Sequence, residues 1–152
     1  DGNSHSGGRF ADEITEAARI VSSSVSVRGA TAYWSVGNWS NPAPAAVAVE
    51  LLPTGDVTSA KAGDSLTFQL HRDGAPVAAV EAAVSIFNAT ESHDGTVNAD
   101  GTVSVTVPGP GFWIVRTSRV EAVADAGDTY AEFNGRIDGI TFIATLALEA
   151  AP

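Results

Sequence analysis

Cysteine is absent from the 152 residues, and so is methionine. The first absence excludes disulfides, thiolate metal ligands and cysteine nucleophiles. The second extends to position 1, so the chain is expected to begin after processing, with a removed signal peptide as the simplest cause. Basic residues are scarce. Eight Lys and Arg against eighteen Asp and Glu give a formal net charge of −10. A phosphate backbone would repel such a chain, which argues against nucleic acid as a partner. The charge suits solubility first and attraction of cations second. No apolar run approaches the ~18 residues of a transmembrane segment. Nor is there a Gly-x-Ser-x-Gly nucleophile elbow or a Gly-rich phosphate loop. Nothing in the order of residues selects a pair of carboxylates. No catalytic residue is assigned, and the expectation is a protein that is not an enzyme.

What is present is strand-forming material. Apolar residues make up 44% and charged residues 17%, close to an ordinary globular domain. The apolar set is mostly Val and Ala, interleaved with Ser and Thr, which suits pleated, half-buried strands. Asp1–Gly8 has the composition of a flexible leader. Phe10, Ile14, Ala17, Ala18 and Val21 recur at helical spacing, so one short N-terminal helix is expected over Phe10–Val21. The alternative is an extended arm running into the next strand. From about Ile20 the period changes to two: Val21, Val25 and Val27 share one face, opposite Ser22, Ser24 and Ser26. Gly29 is expected to break this run, with Ala32, Trp34 and Val36 alternating after it. Further strands are expected at 46–52, 66–71, 77–87, 103–107, 112–117 and 140–149. Asp73-Gly74 and Asp100-Gly101 supply hairpin turns. Residues 88–95 read as a polar loop. Seven or eight short strands separated by turns predict an all-β, antiparallel β-sandwich, immunoglobulin-like or transthyretin-like. Residues 1–19 are assigned as a tail or arm and residues 20–152 as a single sandwich domain.

Several stretches carry a family resemblance. They are Val-Glu-Leu-Leu-Pro at 49–53, Ala-Gly-Asp-Ser-Leu at 62–66 and Asp-Gly-Ala-Pro-Val-Ala at 73–78. Ala-Asp-Gly-Thr-Val at 99–103 and Pro-Gly-Pro-Gly-Phe-Trp-Ile-Val-Arg at 108–116 follow, and Ile-Thr-Phe-Ile-Ala-Thr-Leu-Ala-Leu closes the set at 140–148. About two thirds of the chain resembles the C-terminal part of an uncharacterised periplasmic family, and also the transthyretin-like and carboxypeptidase-regulatory sandwich modules. The resemblance implies a β-sandwich and an association with nickel or cobalt uptake. Metal-linked members share an N-terminal His segment followed by an aromatic residue. Here His5 is the only candidate for it. The matching motifs are turn and strand-edge signals, which specify fold more than function.

The candidate functional residues fall into three groups. Glu91, His93 and Asp94 place three potential ligands within four residues, and with His5 they form the candidate set for a divalent cation such as nickel or cobalt. Asp125, Asp128 and Glu132 are the candidates for calcium, without the EF-hand spacing. The ordinary reading of both acidic groups is a solvated loop, with no cofactor. His71 falls on the outward face of its strand and is expected at the surface. Tyr33, Trp34 and Trp39 form an aromatic group beside a Pro/Asn loop that could stack on a sugar or a partner protein. The plainer reading puts Trp34 in the core and makes Trp39 a loop anchor. Val21, Val25 and Val27, behind the leader, could complete the sheet of a neighbouring copy by strand addition, building an open fibre. The expected function is a secreted structural module, with a periplasmic metal-uptake accessory and a sugar- or protein-binding module as alternatives. The expected partners are copies of the chain or another extracytoplasmic protein. The expected location is extracytoplasmic: secreted, cell-surface or periplasmic.

Overall fold

Alternation of Val, Leu and Phe with Ser and Thr produces ten strands in the computed structural model, which describes Glu13 and residues 22–152. The expected helix over Phe10–Val21 lies, apart from Glu13, outside the described residues, as do His5 and Val21. The strands are β1 (Ser24–Ala32), β2 (Glu50–Pro53), β3 (Ser65–Arg72), β4 (Ala75–Pro76) and β5 (Ala83–Phe87). They continue as β6 (Ser92–Asp94), β7 (Thr96–Val97), β8 (Val103–Thr106), β9 (Gly111–Glu121) and β10 (Gly139–Ala150). Two sheets result. One has the order β1-β10-β9-β5-β6; the other is β2-β3-β8-β7, with β4 also paired to β3. The fold is an all-β sandwich, as the period-two pattern predicts. No helix among the described residues is long and apolar enough to cross a membrane.

The described residues divide into two compact units. One is Ser26–Arg119 with Phe142–Pro152, and the other is the chain up to Val25 with Val120–Thr141. In the first, alternate residues of each strand turn inward. Leu66, Phe68 and Leu70 of β3, Val103 and Val105 of β8, Val84 and Ile86 of β5, Trp113 and Val115 of β9, and Leu146 and Leu148 of β10 are all buried. Burying one such aliphatic or Phe side chain contributes ~1.5–3 kcal/mol. Trp113 satisfies its indole N–H by donating to the Gly109 carbonyl at 2.8 Å, so the largest core side chain carries no unmet donor. In the second unit Val123, Ala126, Tyr130 and Ile140 are buried. Asp138 closes it: its Oδ2 accepts from Ser23 N at 2.7 Å, and its own N–H donates to Ser23 O at 3.0 Å.

The turns follow their residues. Asp73 (φ 50°) and Gly74 (φ 80°) are both left-handed, as a tight two-residue hairpin between β3 and β4 requires. Five expectations need correction. Gly29 does not end β1, which runs through it to Ala32. A side chain there would sit 1.7 Å from the Val49 carbonyl oxygen, so the glycine admits a close backbone approach. The strand expected at 46–52 begins only at Glu50, and the one expected at 77–87 is confined to 83–87 after Glu81 takes φ 60°. The polar loop 88–95 contains β6. Its residues are hydrophilic because it lies at a sheet edge, where all three are exposed and no alternation of burial shows. His71 is buried at 8% exposure, because the outer face of β2 and β3 is covered, as described next.

Candidate functional site

Tyr33–Ala48 forms no regular strand, yet it is tied down by side chains. Ser35 Oγ and Thr58 Oγ1 lie 3.1 Å apart, Asn41 Nδ2 donates to Thr54 O at 3.3 Å, and Ala45 N–H donates to Glu50 Oε1 at 3.0 Å. This strap explains the burial of Glu50 and His71, which face each other across β2 and β3. His71 Nδ1 lies 3.3 Å from Gly74 O. Burial and the nearby Glu50 carboxylate both raise the Tyr33 phenol above its ordinary value, partly offset by a hydrogen bond with Thr31.

The aromatic group divides within this strap. Trp39 is the anchor expected of it: Nε1 donates to Asn41 Oδ1 at 2.9 Å, and its ring meets Tyr33 edge-on at 6.4 Å. Trp34 is not in the core. It is 81% exposed, beside Val36 at 92%. The core tryptophan is Trp113, whose place was legible only as a residue inside a buried strand.

The metal candidates are separated by the pleat of β6. His93 Nε2 lies 3.0 Å from Glu91 Oε2, and the ring stands 6.1 Å from Trp113. Asp94 points to the opposite face, because neighbours on a strand alternate. Its strand partner is Ser85, whereas that of His93 is Ile86. Among the described residues no group of three or more His, Asp or Glu side chains can hold a metal ion. Asp125, Asp128 and Glu132 belong to two short 3-10 turns, Val123–Asp125 and Asp128–Phe133.

The assembly candidates Val25 and Val27 belong to β1, which pairs with β10 of the same chain. Thr31 Oγ1 donates to Thr145 O at 3.3 Å and Thr145 Oγ1 to Gly29 O at 3.2 Å. Among the described strands β1 is nevertheless an edge, nine residues long, with every second residue from Ser24 to Ala32 exposed. The other described edges are much shorter: four residues in β2, three in β6 and two each in β7 and β4.

Sequence reasoning overlooked a further feature. A shallow cavity of about 360 Å³ opens on the outer face where β5 meets β6 and β9, with Phe87 and Arg116 in its wall. Its signal was the period-two set Ser85 and Phe87, facing outward beside the inward Val84 and Ile86.

No curated protein and no solved structure matches the chain. One family model does, that of a domain of unknown function, DUF4198, over residues 6–121, ending where β9 ends.

Proposed function

We propose that this chain, which belongs to the DUF4198 family, acts outside the cytoplasm as a non-catalytic assembly module that takes a strand of a second copy along the edge of β1. The observation that carries the reading is the length of that edge. A strand added to a sheet gains main-chain hydrogen bonds along its whole overlap. Among the described edge strands only β1 offers nine residues, against two to four on the others. Long regular edges invite pairing, whereas natural edges are usually short or blunted by charge. Arg28 is the one charged residue of β1. The absence of cysteine and the Val/Thr/Ser-rich composition agree with a module of this kind.

A second reading has its own observation. Trp34 at 81% and Val36 at 92% exposure form an apolar tip that could dock a sugar or a partner protein. The nickel and cobalt association implied by the resemblance rests on less, since only Glu91 and His93 come together. Two donors leave a divalent ion mostly hydrated.

One experiment separates the first two readings: sedimentation and negative-stain imaging across a concentration series. The wild type is expected to self-associate. Ala30→Lys, at an exposed position of β1, abolishes association with an unchanged unfolding midpoint, because an edge lysine blocks strand addition. Trp34→Ala leaves association intact. A protein that is monomeric at every concentration overturns the assembly reading. Loss of association in Trp34→Ala but not in Ala30→Lys replaces it with the aromatic one.

A further inference from the structure

We infer that the outer-face cavity between β5, β6 and β9 is a binding site for a small organic carboxylate, held by Arg116. The site is built by register. Ser85 on β5 faces Arg116 on β9, and Phe87 on β5 faces Ser92 on β6. Side chains of the same parity share a face, so the pairing sets Ser85, Phe87, Ser92 and Arg116 around one depression, completed by Asn88, Ala89, Thr90 and Glu91.

The Arg116 guanidinium lies over the Phe87 ring, 5.7 Å from its centroid. Stacking occupies the face of the planar group and leaves its N–H fork, which lies in the plane, available. Among the described residues that fork has no hydrogen-bond or ion-pair partner. In a chain with eighteen acidic residues and eight basic ones, an unpaired arginine is unexpected on charge alone. Two acidic groups stand on the same side of the sheet. Glu91 lines the cavity, with its Oε2 3.0 Å from His93 Nε2, and Asp94 shares the outer face one strand further away, beyond Ser85.

Apart from Ala89 and Glu91, whose Oε2 meets His93, the rest of the lining offers donors. Asn88 Oδ1 is consumed as an acceptor by Thr90 N at 2.8 Å, Thr90 Oγ1 at 2.9 Å and Glu91 N at 3.0 Å. That triple bond set fixes the amide and leaves Nδ2 as its unused end. A fork of N–H donors, an amide N–H₂ and the hydroxyls of Ser85 and Ser92 together call for a ligand rich in acceptors. The planar bidentate match to the fork is a carboxylate. The net charge of −10 repels anions in general, so carboxylate binding here requires a local site.

The test is an amide-resolved NMR titration of the full chain with glucuronate, acetate and neutral glucose. Saturable shifts at Ser85, Asn88, Ser92 and Arg116 are expected with glucuronate. Acetate distinguishes recognition of the bare carboxylate from recognition of a hydroxylated acid, and saturation by either supports the site. Glucose should give none. Arg116→Gln, a surface change, weakens binding by about tenfold or more, while Arg116→Lys retains part of it because charge remains without the fork. Failure of both acids to saturate, equal binding of glucose, or unchanged affinity in Arg116→Gln overturns the inference. The assembly reading is untouched by any of these outcomes, since β1 lies at the other edge of the sheet.

Discussion

A single missing side chain governs how the chain leaves one sheet for the other. β6 and β7 belong to different sheets, and Gly95 alone separates them. Its N–H donates to Val84 O at 2.9 Å. A Cβ there would lie 2.5 Å from Val84 Cγ1, 2.7 Å from Ser104 O and 2.8 Å from Val105 Cγ1. The Ser104 oxygen is backbone and cannot swing aside. Gly95→Ala is therefore expected to cost ~1–3 kcal/mol, the usual range for overpacking, measured as a lower midpoint in urea unfolding. An unchanged midpoint would mean that the corner relaxes freely. The role of Gly95 was hidden in the sequence, where it closed an apparent polar loop. Trp34 misled in the opposite sense. Its apolar side chain and alternating neighbours argued for the core, yet β1 ends at Ala32 and Trp34 falls on the exposed strap.

Among the elements, the β7–β8 hairpin is the one whose pH response can be stated. Gly101 takes φ 83°, and Asp100 Oδ1 accepts from Thr102 Oγ1 at 2.7 Å and from Thr102 N at 3.0 Å. These bonds favour the ionised form, the side-chain bond most, and hold the carboxyl below its ordinary value of 3.8. Asp56, bonded to Thr58 in the same manner, is lowered too. A depressed folded-state pKa contributes stability that is present above the unfolded value and lost as pH falls through the folded one. Unfolding midpoints are expected to drop on acidification below about 4, and Asp100→Asn should flatten part of that limb. A variant with the same acid limb as the wild type would remove Asp100 from the cause. This hairpin was readable from Asp-Gly and the alternating valines. β6 was not, because three exposed polar residues carry no burial period, and only pairing with β5 makes them a strand.

At the scale of the whole molecule, charge separates the two proposed interactions. Copies that each carry −10 repel one another, and salt screens this over a Debye length of ~10 Å at 0.1 M. Self-association along β1 is therefore expected to strengthen as salt rises from low concentration, seen as a larger sedimentation coefficient. At the cavity the attraction of Arg116 for a carboxylate opposes the repulsion by the acidic chain, so salt is expected to change carboxylate binding less than self-association. A larger salt response of carboxylate binding would count against this assignment.

The sequence by itself determined the all-β class, most strand positions and the tight turns, since period-two burial and Asp-Gly chemistry are local properties of the chain. The tertiary structure decided which polar residues meet. It brought Glu91 to His93, turned Asp94 to the opposite face of β6 from His93, buried His71 beneath a strap, and set Arg116 over Phe87. Those outcomes depend on strand register and sheet order, which join residues far apart in the chain and leave no mark on any short window of it.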